Sequence, residues 1–298
     1  MRVQRTWSNP DVLKFCQRTG QPDPVEAIKN AARGLIARSQ IDHPPFSPFL
    51  MGQFQRVLRV ELRPIGFDAC LMPVDGGYEV HICKDHSEAR RNFSMAHELG
   101  HLLMDPGGAP KGARRETNIG FSAADEEELL CDIAASELLL PAPFFEADAQ
   151  VGGPSLSSVL ELASLYKSSI AATTRRFVAS GVWRCFFLVW SVGNVGSDPK
   201  LKLDQIIANA PRLPYKSAVS LRDGTRILGA LEKRNIVRGR EWLKFDDVIE
   251  DQYYLETIRI GASTKPRLLS MVITELDAGL WTTTRRTADA QLRLPRLW

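Results

Sequence analysis

The stretch AHELGHLLM, residues 96–104, decides how the rest of the chain is read. His97 and His101 are four residues apart, with Glu98 directly after the first. On a helix this spacing puts both imidazoles on one face, one turn apart, within reach of a single ion. In the HExxH reading two neutral imidazoles hold Zn²⁺, and the glutamate polarises the water that attacks the substrate. Zinc lowers the pKa of that water from about 15.7 to about 7, which makes hydroxide available at neutral pH. Ala96, Leu99, Leu102 and Leu103 surround the polar triplet with apolar side chains. Unpaired polar groups would be costly there, and a metal relieves that cost.

A hydrolytic zinc site needs a third protein ligand and one open position. The search leads to DEEELLCDIAASELLLP, residues 125–141, a helical stretch acidic in its first turn and ended by Pro141. Glu127 aligns with Leu130, Ala134 and Leu138, and Glu128 with Cys131, Ala135 and Leu138. Both faces are apolar, so periodicity leaves the choice of ligand open. Ala134 and Ala135 are small enough to let two helices approach closely, as a shared metal demands. Cys131 reads as a filler of that helix contact.

RRNFSMAHELGHLLM followed by EELLCDIAASELLLP resembles the ImmA/IrrE family of zinc metallopeptidases, whose second helix has the form E-x-x-(A/C)-(N/D)-x-x-A-x-x-L-L-x-P. The resemblance covers most of residues 20–180. It implies a zincin-like core in which His97, His101 and Glu128 bind Zn²⁺, with Mn²⁺ as the alternative ion, and Glu98 is the catalytic base. Asp132 matches the (N/D) position, one turn beyond Glu128, where it could accept an N–H from a ligating histidine. Asn92 departs from the family, which often has Arg before the Phe, and this touches only a local surface contact. Family members characteristically cleave DNA-binding repressors and take part in stress responses. The implied substrate is therefore a separate helix-turn-helix repressor, cut in a regulatory role. The competing reading is a non-catalytic, zinc-stabilised transcriptional regulator or DNA-binding protein, against which the intact Glu98 weighs.

Outward from the motif, Pro22–Gln40 carries a helical apolar period, and IDHPPFSPF breaks it. Residues 57–83 read as VLRVELRP, FDACLMPV and YEVHIC, short strands of a small antiparallel sheet with a turn at Asp75-Gly76-Gly77. The motif helix is expected over Ala89–Met104 and the second over Asp125–Leu140, with a loop over 109–123. Residues 155–178 read as two short helices split at Lys167-Ser168-Ser169, resembling a helix-turn-helix that ends in Arg175 and Arg176. WRCFFLVWSV, residues 183–192, fits a buried strand, and YYLETIRI and RLLSMVITEL flank a turn at GASTKP.

The predicted fold class is therefore α+β, in three parts. Residues 1–154 form the peptidase core, 155–181 the helical pair, and 182–298 a mixed or β-rich regulatory domain. The resemblance to radiation-response regulators implies a GAF-like sensor at that point. His43, His81 and His86 are isolated; His86 and Tyr78 are placed near the sheet edge bordering the site, where an oxyanion donor is needed.

Lys+Arg 38 against Asp+Glu 35 gives a net +3, too little for nucleic-acid binding by the chain as a whole. Direct DNA binding rests only on the helical pair. No window approaches the roughly 20 apolar residues of a membrane span, and the N-terminus has no apolar signal core. Five scattered cysteines without a CxxC pair read as reduced thiols. A cytoplasmic protein is expected.

Overall fold

Asn9 and Asp23 each place a side-chain oxygen on the amide two residues on, at 2.8 and 2.9 Å, and each is followed by proline. Helices therefore begin at α1 (Pro10–Thr19) and α2 (Pro24–Ser39). Proline again opens the short α3 (Pro48–Gly52) inside the segment that breaks the helical period. The computed structural model describes residues 7–105, 123–195, 198–209, 219–221, 225–233, 235–245, 249–261 and 265–273. The expected loop at 109–123 lies almost wholly outside these residues, as do residues 262–264 of the GASTKP turn and the stretch TTTRRTADAQLRLPRLW, 282–298, which reads as basic and peripheral.

The described chain is α+β and divides into two compact units, Met1–Phe145 with Ala163–Ala172, and Glu146–Leu162 with Thr173–Trp298. In the first unit β1 (Val57–Arg63), β2 (Ala69–Val74) and β3 (Gly77–Cys83) form a sheet in the order β1-β3-β2. Asp75-Gly76 is a two-residue turn with Gly76 at φ 81°, and it folds β2 antiparallel onto β3, Val74 facing Gly77. The sheet differs from expectation in one respect: β1 runs parallel to β3, Val60 beside Val80, so it is mixed rather than antiparallel. The turn signal fixed only the β2–β3 pair. With β3 central, β1 and β2 lie on opposite edges and run antiparallel to each other, so the chain crosses from one edge to the other before β3 and β1 pairs with β3 in the parallel sense.

Under this sheet lies α4 (Glu88–Met104), capped by Ser87. It buries Ser94 to Gly100 and Leu102 to Met104, so it is enclosed on most of its circumference. Next in the chain comes α5 (Ala123–Leu139), packed along α4, then α6 (Ala142–Gly152). Arg18 of α1 donates to the carbonyls of Leu103 and Met104 at 2.9 and 2.7 Å, meeting two orphan acceptors at the end of α4. The buried Glu126 carboxylate accepts the amides of Ser8 and Asn9, and Glu137 accepts from Arg33 of α2 at 2.9 Å. Two buried carboxylates of α5 thus tie the N-terminal helices to it.

The second unit takes residues 156–162 of α7 (Leu156–Leu165) and 173–180 of α8 (Ile170–Ser180), followed by β4 (Cys185–Val195), β5 (Asp198–Ile207), β6 (Val219–Leu221), α9 (Thr225–Glu232), β7 (Val237–Phe245), β8 (Ile249–Ile260) and β9 (Arg267–Ile273). The strands form one antiparallel sheet in the order β5-β4-β9-β8-β7-β6. The aromatic run at 183–192 is its buried strand β4. Phe186, Leu188 and Trp190 pack on one face with Ile227 and Ala230 of α9. On the other face Phe187 meets Phe177 of α8 edge-on, at 6.3 Å. The Leu156 amide, at the start of α7, donates to the buried Glu256 carboxylate of β8 at 2.7 Å. Both helices of the pair therefore touch this sheet. No helix among the described residues is long and apolar enough to cross a membrane.

Candidate metal centre

Gly100 sets how closely the two helices of the site approach. A Cβ at that position would stand 2.8 Å from the Cys131 Cα and 3.1 Å from its Cβ, so only glycine lets α5 lie against α4 there. Cys131 is fully buried in that contact, in the role expected of it.

The close approach brings the carboxylates of α5 onto the histidines of α4. The Glu128 carboxylate faces both Nε2 atoms, with Oε2 3.1 Å from His97 and Oε1 3.6 Å from His101. The Nδ1 atoms are taken up on the other side of each ring. Asp132 Oδ1 lies 2.9 Å from His97 Nδ1, and Glu127 Oε1 lies 3.1 Å from His101 Nδ1. A carboxylate at Nδ1 fixes the tautomer with the proton there and leaves the Nε2 lone pair for a ligand. The two rings meet edge to face, centroids 5.1 Å apart. His97 and Glu98 are buried, while Glu128 keeps 40% of its side chain exposed, so the cluster is reached from the Glu128 side.

Sequence periodicity left Glu127 and Glu128 as alternatives, and the structure uses both, on opposite edges of His101. The pairing of Glu127 with His101 Nδ1 was not read from the sequence. Its one available signal was the unbroken run of acids at 125–128, which exceeds what a helix start needs.

His97, His101 and Cys131 also offer ligand atoms within 4.8 Å of one another and could hold a metal ion. The Cys131 sulfur lies 3.4 Å from His101 Nδ1, on the same edge of the ring as Glu127. Burial pushes its thiol well above the ordinary range, and the carboxylates of Glu128, Glu127, Glu98 and Asp132 add to the shift. Among the described residues the only other such group is Glu61, Glu79 and His81, on the small sheet. Arg59 and Arg63 both pair with Glu61, and His81 pairs with Glu79 at 2.9 Å, so the charges there are already matched.

The remaining histidines sit apart. His43 is exposed beside Asp42. His86 lies 3.4 Å from Asp68, before the start of α4, whose first residue Glu88 is about 13 Å of helix rise from His97. Tyr78 is buried within β3.

The sequence of residues 66–178 matches the family model Peptidase_M78, described as the IrrE N-terminal-like domain. This segment is similar to the IrrE N-terminal-like domain. It spans β2, β3, the α4–α5 pair with its histidine and carboxylate cluster, and the helices through most of α8. The match supports a metallopeptidase-type fold for these residues. A solved structure of a Mycobacterium tuberculosis transcriptional regulator aligns over 88% of this chain and 80% of its own, with a TM-score of 0.52 and 12% identity. At that identity the likeness is one of fold. No curated protein matches the sequence.

Proposed function

We propose that the chain is a zinc-dependent endopeptidase with a regulatory role, cutting a DNA-binding helix-turn-helix repressor supplied as a separate chain. The observation that carries the reading is the shared orientation of the two imidazoles, both Nε2 atoms toward Glu128 and both Nδ1 atoms on carboxylates. A borderline-soft dication bound by imidazole nitrogen and carboxylate oxygen fits that donor set. His97, His101 and Glu128 would hold the ion, Zn²⁺ or in its place Mn²⁺. When bound, the ion supplies a Lewis acid that makes water a competent nucleophile near neutral pH. Glu128 is preferred to Cys131 as the third ligand because it stands at the Nε2 edge of both rings.

The chain's own residues do the rest. Asp132 and Glu127 hold the rings in orientation. Glu98, adjacent to His97 and buried, takes the proton from the attacking water and delivers it to the leaving amine. Resemblance to the ImmA/IrrE family supports the repressor as substrate. The C-terminal sheet is assigned a regulatory, GAF-like role on the same basis, and the cytoplasm is the compartment that suits such a substrate.

The test uses the full chain with Zn²⁺ or Mn²⁺ and a candidate repressor, scored for one defined cleavage product. Glu98→Gln keeps the bound metal and loses about 10² to 10⁴ in rate, the usual contribution of a general base. A variant that cleaves as fast as the parent removes Glu98 from the role. If neither cleaves while both relieve repression in cells, a non-catalytic regulator replaces this reading.

A further inference from the structure

A second pocket lies at the opposite end of α4, with a volume of about 400 Å³, within the range of small-molecule sites. Its back wall is aromatic and rigid. Phe46 and Tyr166 are fully buried and stacked at 6.1 Å, braced by Phe144 and Phe145. Its side wall is apolar and open: Phe49, with Val60 and Leu62 of β1, lines it, and Leu62 is 52% exposed.

The polar rim is unevenly charged. Lys167 Nζ pairs with Glu88 at 3.4 Å, and its carbonyl accepts from Asn92 at 3.0 Å, which joins the turn after α7 to the first turns of α4. Those two charges cancel. Arg90 is matched by Asp68. Arg91 is different: its guanidinium donates to the Lys84 carbonyl at 3.3 Å, and among the described residues it forms no ion pair with a carboxylate. The rim also includes the N-terminal end of α4, whose dipole adds positive potential. An apolar cavity with one unmatched guanidinium at its mouth suits a ligand with an apolar body and one carboxylate, which arginine can grip by two parallel hydrogen bonds.

We propose that this pocket binds a small aryl or branched aliphatic carboxylate, its hydrocarbon against Phe49, Val60 and Leu62 and its carboxylate on Arg91. The site is separate from the histidine cluster, since Arg91 precedes His97 by six residues, or about 9 Å of helix rise.

Calorimetric titration of the full chain with three probes tests this. Phenylacetate saturates with a dissociation constant on the order of 1 mM, as expected for about ten heavy atoms at modest efficiency. Phenylacetamide, of the same shape without the charge, binds at least about tenfold more weakly, and acetate, with the charge alone, does the same. Arg91→Gln, checked for folding by circular dichroism, lowers phenylacetate to the level of the amide. The double variant His97→Ala, His101→Ala leaves phenylacetate affinity unchanged. Equal binding of acid and amide, equal binding of acetate, or an unaffected Arg91→Gln overturns the proposal. So does loss of binding in the double histidine variant, which would assign the carboxylate to the metal centre.

Discussion

Asp132 and Glu127 touch the Nδ1 edges of the two histidines, so each should act through the ring it orients. Replacing a carboxylate behind a metal-binding histidine typically costs about 10- to 100-fold in metal affinity. Asp132→Ala and Glu127→Ala are each expected to weaken Zn²⁺ binding by that order, measured by competition with a chromophoric chelator. Affinity equal to the parent's in both would mean that the rings are held by packing alone. The residue scale was also the most legible in the sequence, because a four-residue spacing of histidines has a direct helical meaning. What escaped was the sharing of work between Glu127 and Glu128. Adjacent helix positions differ by about 100°, and both here neighbour apolar residues, so the pattern had no way to rank them. Only the relative rotation of α4 and α5 assigns one to each edge.

That rotation is a property of elements, and it depends on Gly100 facing Cys131. Gly100→Ala puts a methyl group 2.8 Å from the Cys131 backbone, where no flexible side chain can yield. The helices must separate, at about 1 to 3 kcal/mol for overpacking. Urea denaturation should show a lower midpoint at unchanged slope, together with weaker Zn²⁺ binding, because the carboxylates withdraw with α5. A second element-scale contact is Arg18 on the end of α4. Arg18→Ala leaves the Leu103 and Met104 carbonyls without that charged donor, an expected loss of about 1.5 to 3 kcal/mol in the same experiment. If Arg18→Ala is silent, solvent is satisfying those carbonyls equally well. The sequence foretold the main helices of this region to within one or two residues at most ends, because caps, prolines and apolar period agree there. It did not foretell the direction of β1, since side-chain alternation is the same for parallel and antiparallel strands. It also passed over β5 and β7, whose LKLDQ and VRGREW stretches mix charges into the strand pattern.

At the scale of the whole molecule, two units with their own cores imply two responses to metal. The histidine cluster lies in the first unit, and the second is built on the aromatic strand β4, α9 and Glu256. An ion that binds only the folded state stabilises it by RT ln(1 + [L]/Kd), about 2.7 kcal/mol at a hundredfold excess over Kd. Differential scanning calorimetry of the full chain with Zn²⁺, and again after chelation, should therefore move one transition and leave another in place. The transition that moves should become insensitive to zinc in the His97→Ala, His101→Ala variant. Glu256→Ala should instead lower the unmoved transition, because it leaves the Leu156 amide and the Arg238 guanidinium without their shared acceptor. A single transition that shifts with zinc and is lowered by Glu256→Ala would show that the two cores unfold as one. In that case the ion at His97 and His101 and the Glu256 hydrogen bonds would stabilise one cooperative unit, and the effects of zinc and of Glu256→Ala would no longer be independent.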